Sequence, residues 1–242
     1  MNKLTNELIS LHGKEGLRAE QWFDLMLDDV LAGFGIRLTE IPTEAVREVL
    51  FNLSGLYAQE VIREAPFADL LGPVHMELVS RYQQKGSGQF FTPTELCRMI
   101  AQMNMQGLRF DKDQARLIRI SDPAVGAGGM LLAALDHITA THGPEALAWV
   151  SVTGIDIDHR CARMYPVQVL SSLYVNQLGL GELVSYQGNT LGDPAAWQTV
   201  CHYSRRDLPE QPTPADHPAI KKAVAEAVTA SPSDGLSQLS LF

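Results

Sequence analysis

The segment RLIRISDPAVGAGGMLLAALD at residues 116–136 constrains the fold more than any other part of this chain. It begins with an apolar, β-branched run typical of a buried strand, stops at Asp122-Pro123, and continues after Gly129 as an apolar helix start. The glycine-rich turn between them has little side-chain bulk, so backbone N–H groups and a helix N-terminus can approach a ligand closely. The segment therefore predicts an α/β fold with a ligand site at this turn. A purely structural turn is the alternative.

Residues 122–129, Asp-Pro-Ala-Val-Gly-Ala-Gly-Gly, resemble the first cofactor motif of adenine-N6 DNA methyltransferases. The likeness is greatest to the modification subunits of type I restriction systems, in which this motif opens the site for S-adenosylmethionine (SAM). The resemblance implies a Rossmann-like, SAM-dependent methyltransferase core. It assigns these residues to cofactor binding: Asp122, Pro123, Ala124, Gly126 and Gly128.

A second segment lies about thirty residues upstream, in the order and spacing of the same family. Residues 86–93, Gly-Ser-Gly-Gln-Phe-Phe-Thr-Pro, resemble the motif Gly-x-Phe-Tyr/Phe-Thr-Pro, which folds over the methionine end of SAM. The resemblance assigns Phe91, Thr92 and Pro93 to the cofactor site. A plain helix start, with Thr92 as the capping residue and Pro93 as the first helical residue, would look similar. On that helix we expect an inward-facing apolar stripe of Leu96, Met99, Ile100 and Met103.

Two later strand ends carry polar residues that suit a nucleoside. In residues 149–155 the side chains alternate in the pattern of a second strand, which ends at Asp156. A carboxylate at that position can accept hydrogen bonds from both hydroxyls of the ribose of a nucleoside. The alternative is that Asp156 caps the next helix, although Asp158 could do so instead. The family has an acid at this position, and Ile157 would then lie near the adenine ring. After a third strand at 183–186, Asn189 replaces the family's usual acid, and its carbonyl can still accept from the adenine amino group.

The catalytic signature of the family, Asn/Asp-Pro-Pro-Tyr/Phe, has no counterpart in the 242 residues. No Asn precedes a Pro, and Asp193-Pro194-Ala195-Ala196-Trp197 lacks the second proline and follows the third strand too closely. We count three strands and a short fourth at 197–203, fewer than a complete sheet of this class. The prediction is an incomplete methyltransferase sheet that carries the cofactor motifs, with its catalytic residues unknown.

The pattern of apolar residues divides the chain into four parts. In residues 1–88, apolar residues recur at helical spacing and predict an N-terminal helical bundle. Residues 89–203 are predicted to form the methyltransferase-like domain. Residues 204–235 read as a polar linker with a short helix, and residues 236–242 as a tail. Three widely separated cysteines predict buried free thiols in a reducing cytoplasm, without a metal site. The sequence contains no run of about 18 apolar residues, so a membrane span is not expected.

The net charge and the last five residues of the sequence give information about binding partners. The net charge of −9 argues against strong autonomous DNA binding, so the DNA that the family implies would be reached through a local patch or a partner subunit. The tail Gln238-Leu239-Ser240-Leu241-Phe242 resembles the bacterial sliding-clamp-binding motif Gln-Leu-x-Leu-Phe, which assigns Gln238, Leu239, Leu241 and Phe242 to clamp binding. The alternative is a terminus that docks on the protein's own surface. Three functions follow: a SAM-dependent adenine-N6 DNA methyltransferase-like protein, a non-catalytic relative that binds SAM or DNA and is tethered to the replication clamp, or an interaction module whose cofactor loop is vestigial.

Overall fold

A computed structural model describes residues 3–36, 42–82, 90–110 and 116–205. Seven α-helices and four strands lie in these ranges: α1 Lys3–Ser10, α2 Ala19–Gly33, α3 Glu44–Arg63, α4 Leu71–Tyr82, α5 Thr94–Asn104, β1 Ile118–Asp122, α6 Gly129–His142, β2 Val150–Asp156, α7 His159–Val175, β3 Glu182–Gln187 and β4 Gln198–Ser204. Short 3₁₀ turns occur at Lys14–Gly16, Pro144–Trp149 and Pro194–Ala196. The predicted linker helix and the clamp-binding-like tail lie outside the described residues.

The four strands form one sheet in the order β1-β2-β3-β4. β1, β2 and β3 are parallel, and β4 returns antiparallel to β3. Each parallel connection passes through a helix, as the strand-turn-helix pattern predicted. The predicted α/β class, with an incomplete Rossmann-like sheet after a helical bundle, is confirmed.

One face of the sheet packs against helices α6 and α7. Ile120 of β1 packs against the alanines of α6, while Ser185 of β3 donates its hydroxyl hydrogen to the Ala162 carbonyl of α7 at 2.6 Å. Register places both residues on the same face, because Ile120 pairs with Val152, Val152 pairs with Leu183, and Ser185 lies two residues further along β3. The other face of β1 carries exposed Arg119 and Ser121, so this strand alternates rather than being apolar throughout.

Helix α7 is the central helix of the molecule. Every residue from Cys161 to Leu173 is buried, because α7 packs against the sheet on one side and against α2 and α3 on the other. The N-terminal helices therefore use α7 as their contact with the sheet. The three cysteines are buried and free, as predicted. Within the described ranges, no helix has the length and apolar character needed to cross a bilayer.

The predicted orientation of helix α5 is wrong for three of its four apolar residues. Leu96, Met99 and Met103 are 40%, 49% and 64% exposed, respectively. The buried residues are instead Cys97 and Ala101, which pack on Ala133 and Ala134 of α6. Small side chains on both helices allow their backbones to approach closely, and the larger apolar residues of α5 consequently point away from α6.

The predicted start of α5 also differs from the structure. The helix begins at Thr94, and Pro93 is the flanking N-cap residue with extended backbone (φ −55°, ψ 143°). No side chain caps the helix, because the cap position falls on a proline that has no side-chain acceptor. Thr92 is exposed one residue before the cap and is not the capping residue.

Buried Gln168 connects α7 to two segments that approach the glycine turn. Its Oε1 accepts from the backbone N–H groups of Leu70 and Leu71 at 2.6 and 2.9 Å. Its Nε2 donates to the Asp69 carboxylate at 2.9 Å and to the Ala127 carbonyl at 2.8 Å. One side chain thus holds the start of α4 and the glycine turn in a fixed relation.

We predict that Gln168→Met lowers the free energy of unfolding by about 2–4 kcal/mol, because it keeps the side-chain volume but leaves buried backbone groups without partners. Urea unfolding followed by circular dichroism measures the change. The matched control, Gln59→Met on the exposed side of α3, should change stability by less than about 0.5 kcal/mol. Equal stability of the two variants would contradict this role for Gln168.

Candidate functional site

The glycine turn begins where β1 ends. The Asp122 carboxylate accepts from the Ala124 N–H at 3.0 Å, which folds the chain back over exposed Pro123. Gly126 and Gly128 have positive φ angles of 54° and 99°, a region that side-chain-bearing residues rarely adopt. Gly128 directly precedes α6, so the turn leads into a helix N-terminus as predicted.

Asp156 faces this turn from the end of β2. Its Oδ2 accepts from the Gly126 N–H at 2.9 Å, and its Oδ1 accepts from the Asp158 N–H at 2.9 Å. The predicted alternative, that Asp156 caps α7, does not hold, because Asp158 is the N-cap residue and accepts from the Arg160 N–H at 2.8 Å. Each Asp156 oxygen keeps a further lone pair that can accept from a hydroxyl.

Phe91 lies over the same turn. Two of its ring carbons are 3.1 Å from the position that a Cβ atom on Gly126 would take. The ring also stacks on buried His75, with centroids 5.3 Å apart. Phe91 and Thr92 line a cavity of about 70 Å³ together with Asp122 and Gly126. The two predicted motifs therefore meet at one place, 30 residues apart in sequence, whereas Pro93 is exposed at the start of α5.

The charge of this cavity is negative. Asp69 and Asp122 line it, and none of its described lining residues is Lys, Arg or His. Burial raises the pKa of Asp122, the Ala124 N–H opposes that rise, and the nearby Asp156 charge adds to it. Such a cavity repels phosphate and suits a cationic ligand, which distinguishes it from the phosphate-binding turns of dinucleotide sites.

Asp69 is a site residue that the sequence analysis missed. Its carboxylate accepts from the Gly72 N–H at 2.9 Å and lies 3.7 Å from the position of a Cβ on Gly129. In the sequence, the one feature that could have indicated Asp69 is its position as the first residue of the Asp-Leu-Leu-Gly segment at residues 69–72. Only the fold brings that segment to the glycine turn.

Asn189 follows β3, beside Asp156 at the same edge of the sheet. The Gly188 N–H donates to the Asp156 carbonyl at 2.8 Å, and the Asn189 Oδ1 accepts from the Leu191 N–H at 3.0 Å. The side-chain carbonyl of Asn189 can therefore accept one more hydrogen bond. Ile157 is 69% exposed, which leaves its side chain accessible to a ligand. The roles assigned to Asn189 and Ile157 stay predictions.

Trp197 packs against this loop. Its indole N–H donates to the backbone carbonyl of Asn189 at 3.0 Å. Its ring occupies the space that a Cβ atom at position 188 would need, so only glycine fits there. Asp193 caps the short turn Pro194–Ala196 by accepting from the Ala195 N–H at 2.9 Å. This segment, rejected as a catalytic motif from its sequence, has a structural role.

An ion-pair cluster anchors the start of α7 to the N-terminal helices. Arg160 donates two hydrogen bonds to Asp24, each of 2.7 Å. Arg163, whose side chain is 5% exposed, contacts Asp24 at 2.9 Å and Asp28 at 2.7 Å. Because Arg160 is four residues after Asp156, this cluster fixes the helix that follows the site. Sequence reasoning missed it, since its partners are at least 135 residues apart.

Three parallel strands, a bare glycine turn and a facing carboxylate form an arrangement that is also found in nucleotide-binding α/β folds. The model of the family described as N-6 DNA Methylase matches residues 67–197, more than half of the chain. This chain belongs to the N-6 DNA Methylase family.

One solved structure is also similar, that of a Listeria monocytogenes protein assigned to the class I SAM-dependent methyltransferases. The match has 12% sequence identity and a TM-score of 0.44, and it covers 80% of this chain and 55% of the other. The chain thus spans about half the length of that protein. Within the described ranges, no group of three or more His, Cys, Asp or Glu residues is placed to hold a metal ion.

We predict that Asp24→Asn lowers the free energy of unfolding by about 1–3 kcal/mol, because buried Arg163 and partly buried Arg160 lose a charged acceptor. Urea unfolding measures the loss. Glu48→Gln, on an exposed position of α3, removes the same charge and should leave stability within about 0.5 kcal/mol. Equal effects of the two variants would show that net charge, rather than the cluster, is responsible.

Proposed function

We propose that this chain binds SAM at the glycine turn and serves in adenine-N6 methylation of DNA. The observation that carries the proposal is the hydrogen bond between Gly126 and Asp156, which places a carboxylate across from a bare backbone turn. The site fits SAM because the ligand is a nucleoside with cationic sulfonium and ammonium groups and no phosphate. The acidic cavity beside the turn matches that charge.

Each side of the cofactor has candidate residues in this chain. Asp156 would accept from the ribose hydroxyls, with exposed Ile157 beside the adenine ring. Asn189 would accept from the adenine amino group. Phe91 and Thr92 would cover the methionine end. When bound, SAM supplies an electrophilic methyl group.

The carboxylates have a second, electrostatic role in this proposal. Asp69 and Asp122 lie in one cavity, and burial raises the pKa of Asp122, with a further contribution from the nearby charge of Asp156. A cation placed there stabilises the ionised carboxyl group. The affinity for SAM should therefore fall as the pH falls through the pKa of Asp122.

The residues that would contact the target base are the missing part of this function. In the family, an Asn side chain and a proline carbonyl accept from the adenine N6 amino group, and these 242 residues contain no Asn-Pro pair. Residues outside these 242 would have to supply them. The net charge of −9 favours the same conclusion for DNA binding, which would depend on basic residues outside these 242 or on a local patch.

The second candidate is a non-catalytic relative that binds the replication clamp. The specific observation in its favour is the agreement of residues 238–242 with the clamp-binding motif. In that mode the glutamine enters a polar slot and the Leu-Phe pair enters an apolar pocket. The two candidates share SAM binding and differ in methyl transfer.

We expect calorimetry to detect binding of SAM, and Asp156→Asn to weaken that binding by about tenfold or more, because a charged acceptor for the ribose is lost. Asp193→Asn is the matched control, since the Asp193 side chain also accepts a backbone hydrogen bond after a strand, but from Ala195 and not from the glycine turn. Its affinity should equal that of the wild type. The absence of heat at high micromolar SAM would contradict cofactor binding altogether.

Transfer of labelled methyl groups from SAM to unmethylated DNA separates the two candidates. Label that reaches adenine only when host extract is present supports a partner that completes the site. If label reaches DNA in neither mixture while SAM still binds, the catalytic proposal fails and the non-catalytic candidate is retained.

For the tail, we predict that Leu241→Ala with Phe242→Ala abolishes capture of this protein on beads carrying the bacterial sliding clamp, because both apolar anchors are lost. Ser240→Ala changes the variable position of the motif and should leave capture intact. Unchanged capture of the double variant would remove the clamp as a partner of these residues.

A further inference from the structure

A second cavity, of about 40 Å³, adjoins the cavity at the glycine turn. It is lined by residues 65–69, by the first turns of α5 and by part of α6, and is called here the α5 cavity. Both cavities are lined by Asp69, Thr92, Cys97 and Gly129, so one ligand can extend from the glycine turn into the α5 cavity. The cofactor contacts proposed above leave this second cavity unused.

An acid and a base line the α5 cavity without pairing with each other. Asp69 and Arg98 both contribute to its wall, and in the described part of the chain neither side chain forms an ion pair. Asp136 of α6 is a second acid in the lining. Because no ion pair among these residues satisfies Asp69 or Arg98, each can attract a group of the opposite sign. A ligand that carries a cation and an anion side by side matches this lining.

Two hydrogen bonds fix the orientation of the Asp69 carboxylate. Its Oδ1 accepts from the Gly72 N–H and from the Gln168 Nε2, each at 2.9 Å. Its Oδ2 lies 3.7 Å from the position of a Cβ on Gly129, and no described donor gives it a hydrogen bond. Because Asp69 and Gly129 line both cavities, Oδ2 can accept from an ammonium group placed where the two cavities meet.

The side of the cavity formed by α5 suits a carboxylate. Arg98 carries N–H donors in a planar fork that matches the two oxygens of such a group. Thr94 lies one helical turn before Arg98 and lines the same cavity with its hydroxyl-bearing side chain. It is also the first residue of α5, whose N-terminal N–H groups no side chain caps, and such a helix start favours negative charge.

We propose that Asp69 and Arg98 recognise the amino-acid end of SAM by its two charges: Asp69 accepts from the ammonium group, and Arg98 donates to the carboxylate. This inference rests on the proposed function, for which it names two residues that make the site specific for a nucleoside with a charged amino-acid end.

The order of the residues along the two cavities agrees with the order of groups in SAM. Arg98 lines only the α5 cavity, Asp69 lines both cavities, and Gly126 lines only the cavity at the glycine turn. Asp156 follows, since it accepts from the Gly126 N–H. In SAM, the carboxylate is likewise followed by the ammonium group, the sulfonium and the ribose, so one extended molecule can meet all four residues in turn.

Ligands that lack one charged group separate the two contacts. Decarboxylated SAM keeps the ammonium group and lacks the carboxylate, whereas methylthioadenosine lacks the whole amino-acid end. In calorimetry with the full chain, Arg98→Met should weaken binding of SAM by about tenfold or more and should not weaken binding of decarboxylated SAM, because the lost contact is to the carboxylate. Arg47→Met removes an exposed arginine of α3 and is the matched control, which should bind SAM as the wild type does.

The ammonium contact has its own variant. Asp69→Asn keeps an acceptor for the Gly72 N–H and should weaken binding of both SAM and decarboxylated SAM by about tenfold or more, because a charged acceptor is lost. Its affinity for methylthioadenosine should change by less than about twofold, which also shows that the site is still folded.

Three results would overturn the inference. The first is an Arg98→Met variant that binds SAM as the wild type does or that loses SAM and decarboxylated SAM equally. The second is an Asp69→Asn variant that loses methylthioadenosine as well, since its effect would then not be specific to the amino-acid end. The third is an Asp136→Asn variant that weakens SAM binding as much as Asp69→Asn does. If SAM does not bind to the wild type, the proposed function itself fails; if SAM binds and Arg98→Met does not distinguish the two ligands, only this inference fails.

Discussion

The hydrogen bonds of Asp156 are the constraint on which the site depends. Its side chain accepts from the Gly126 N–H, and its carbonyl accepts from the Gly188 N–H. One residue thereby joins the ends of three parallel strands. Because these bonds use backbone donors, the geometry of the turn depends on the fold and on few side chains. A ligand that approaches the turn meets a carboxylate already held in place, so little ordering entropy is lost on binding.

The N-terminal helices contribute to the site through α7. Asp24 and Asp28 of α2 hold the first turns of α7, and Gln168 further along that helix holds the glycine turn and the start of α4. Arg163 and Gln168, two buried polar residues of α7, thus find their partners in other segments of the chain. The bundle and the sheet consequently stabilise each other, and the site lies where their connections meet.

Local patterns predicted the parts of the site that a short segment determines by itself. The turn after Asp122 and the acid at the end of β2 follow from strand ends and glycines, and both were predicted. The outward orientation of the apolar stripe of α5 was not predicted, because a helical pattern shows which residues share a side of the helix but not which side packs. The side that packs on α6 carries the small residues Cys97 and Ala101. Asp69 and Arg163 act across about 100 residues or more, and no local pattern reports such pairs.

The polar side of β1 has a consequence for solubility. An uncovered strand edge promotes aggregation, and natural sheets limit that hazard with short strands and charged residues. β1 has five residues, and an exposed arginine lies near its middle. The short length of β1 and the charge of its arginine both oppose the joining of identical strand edges into larger sheets.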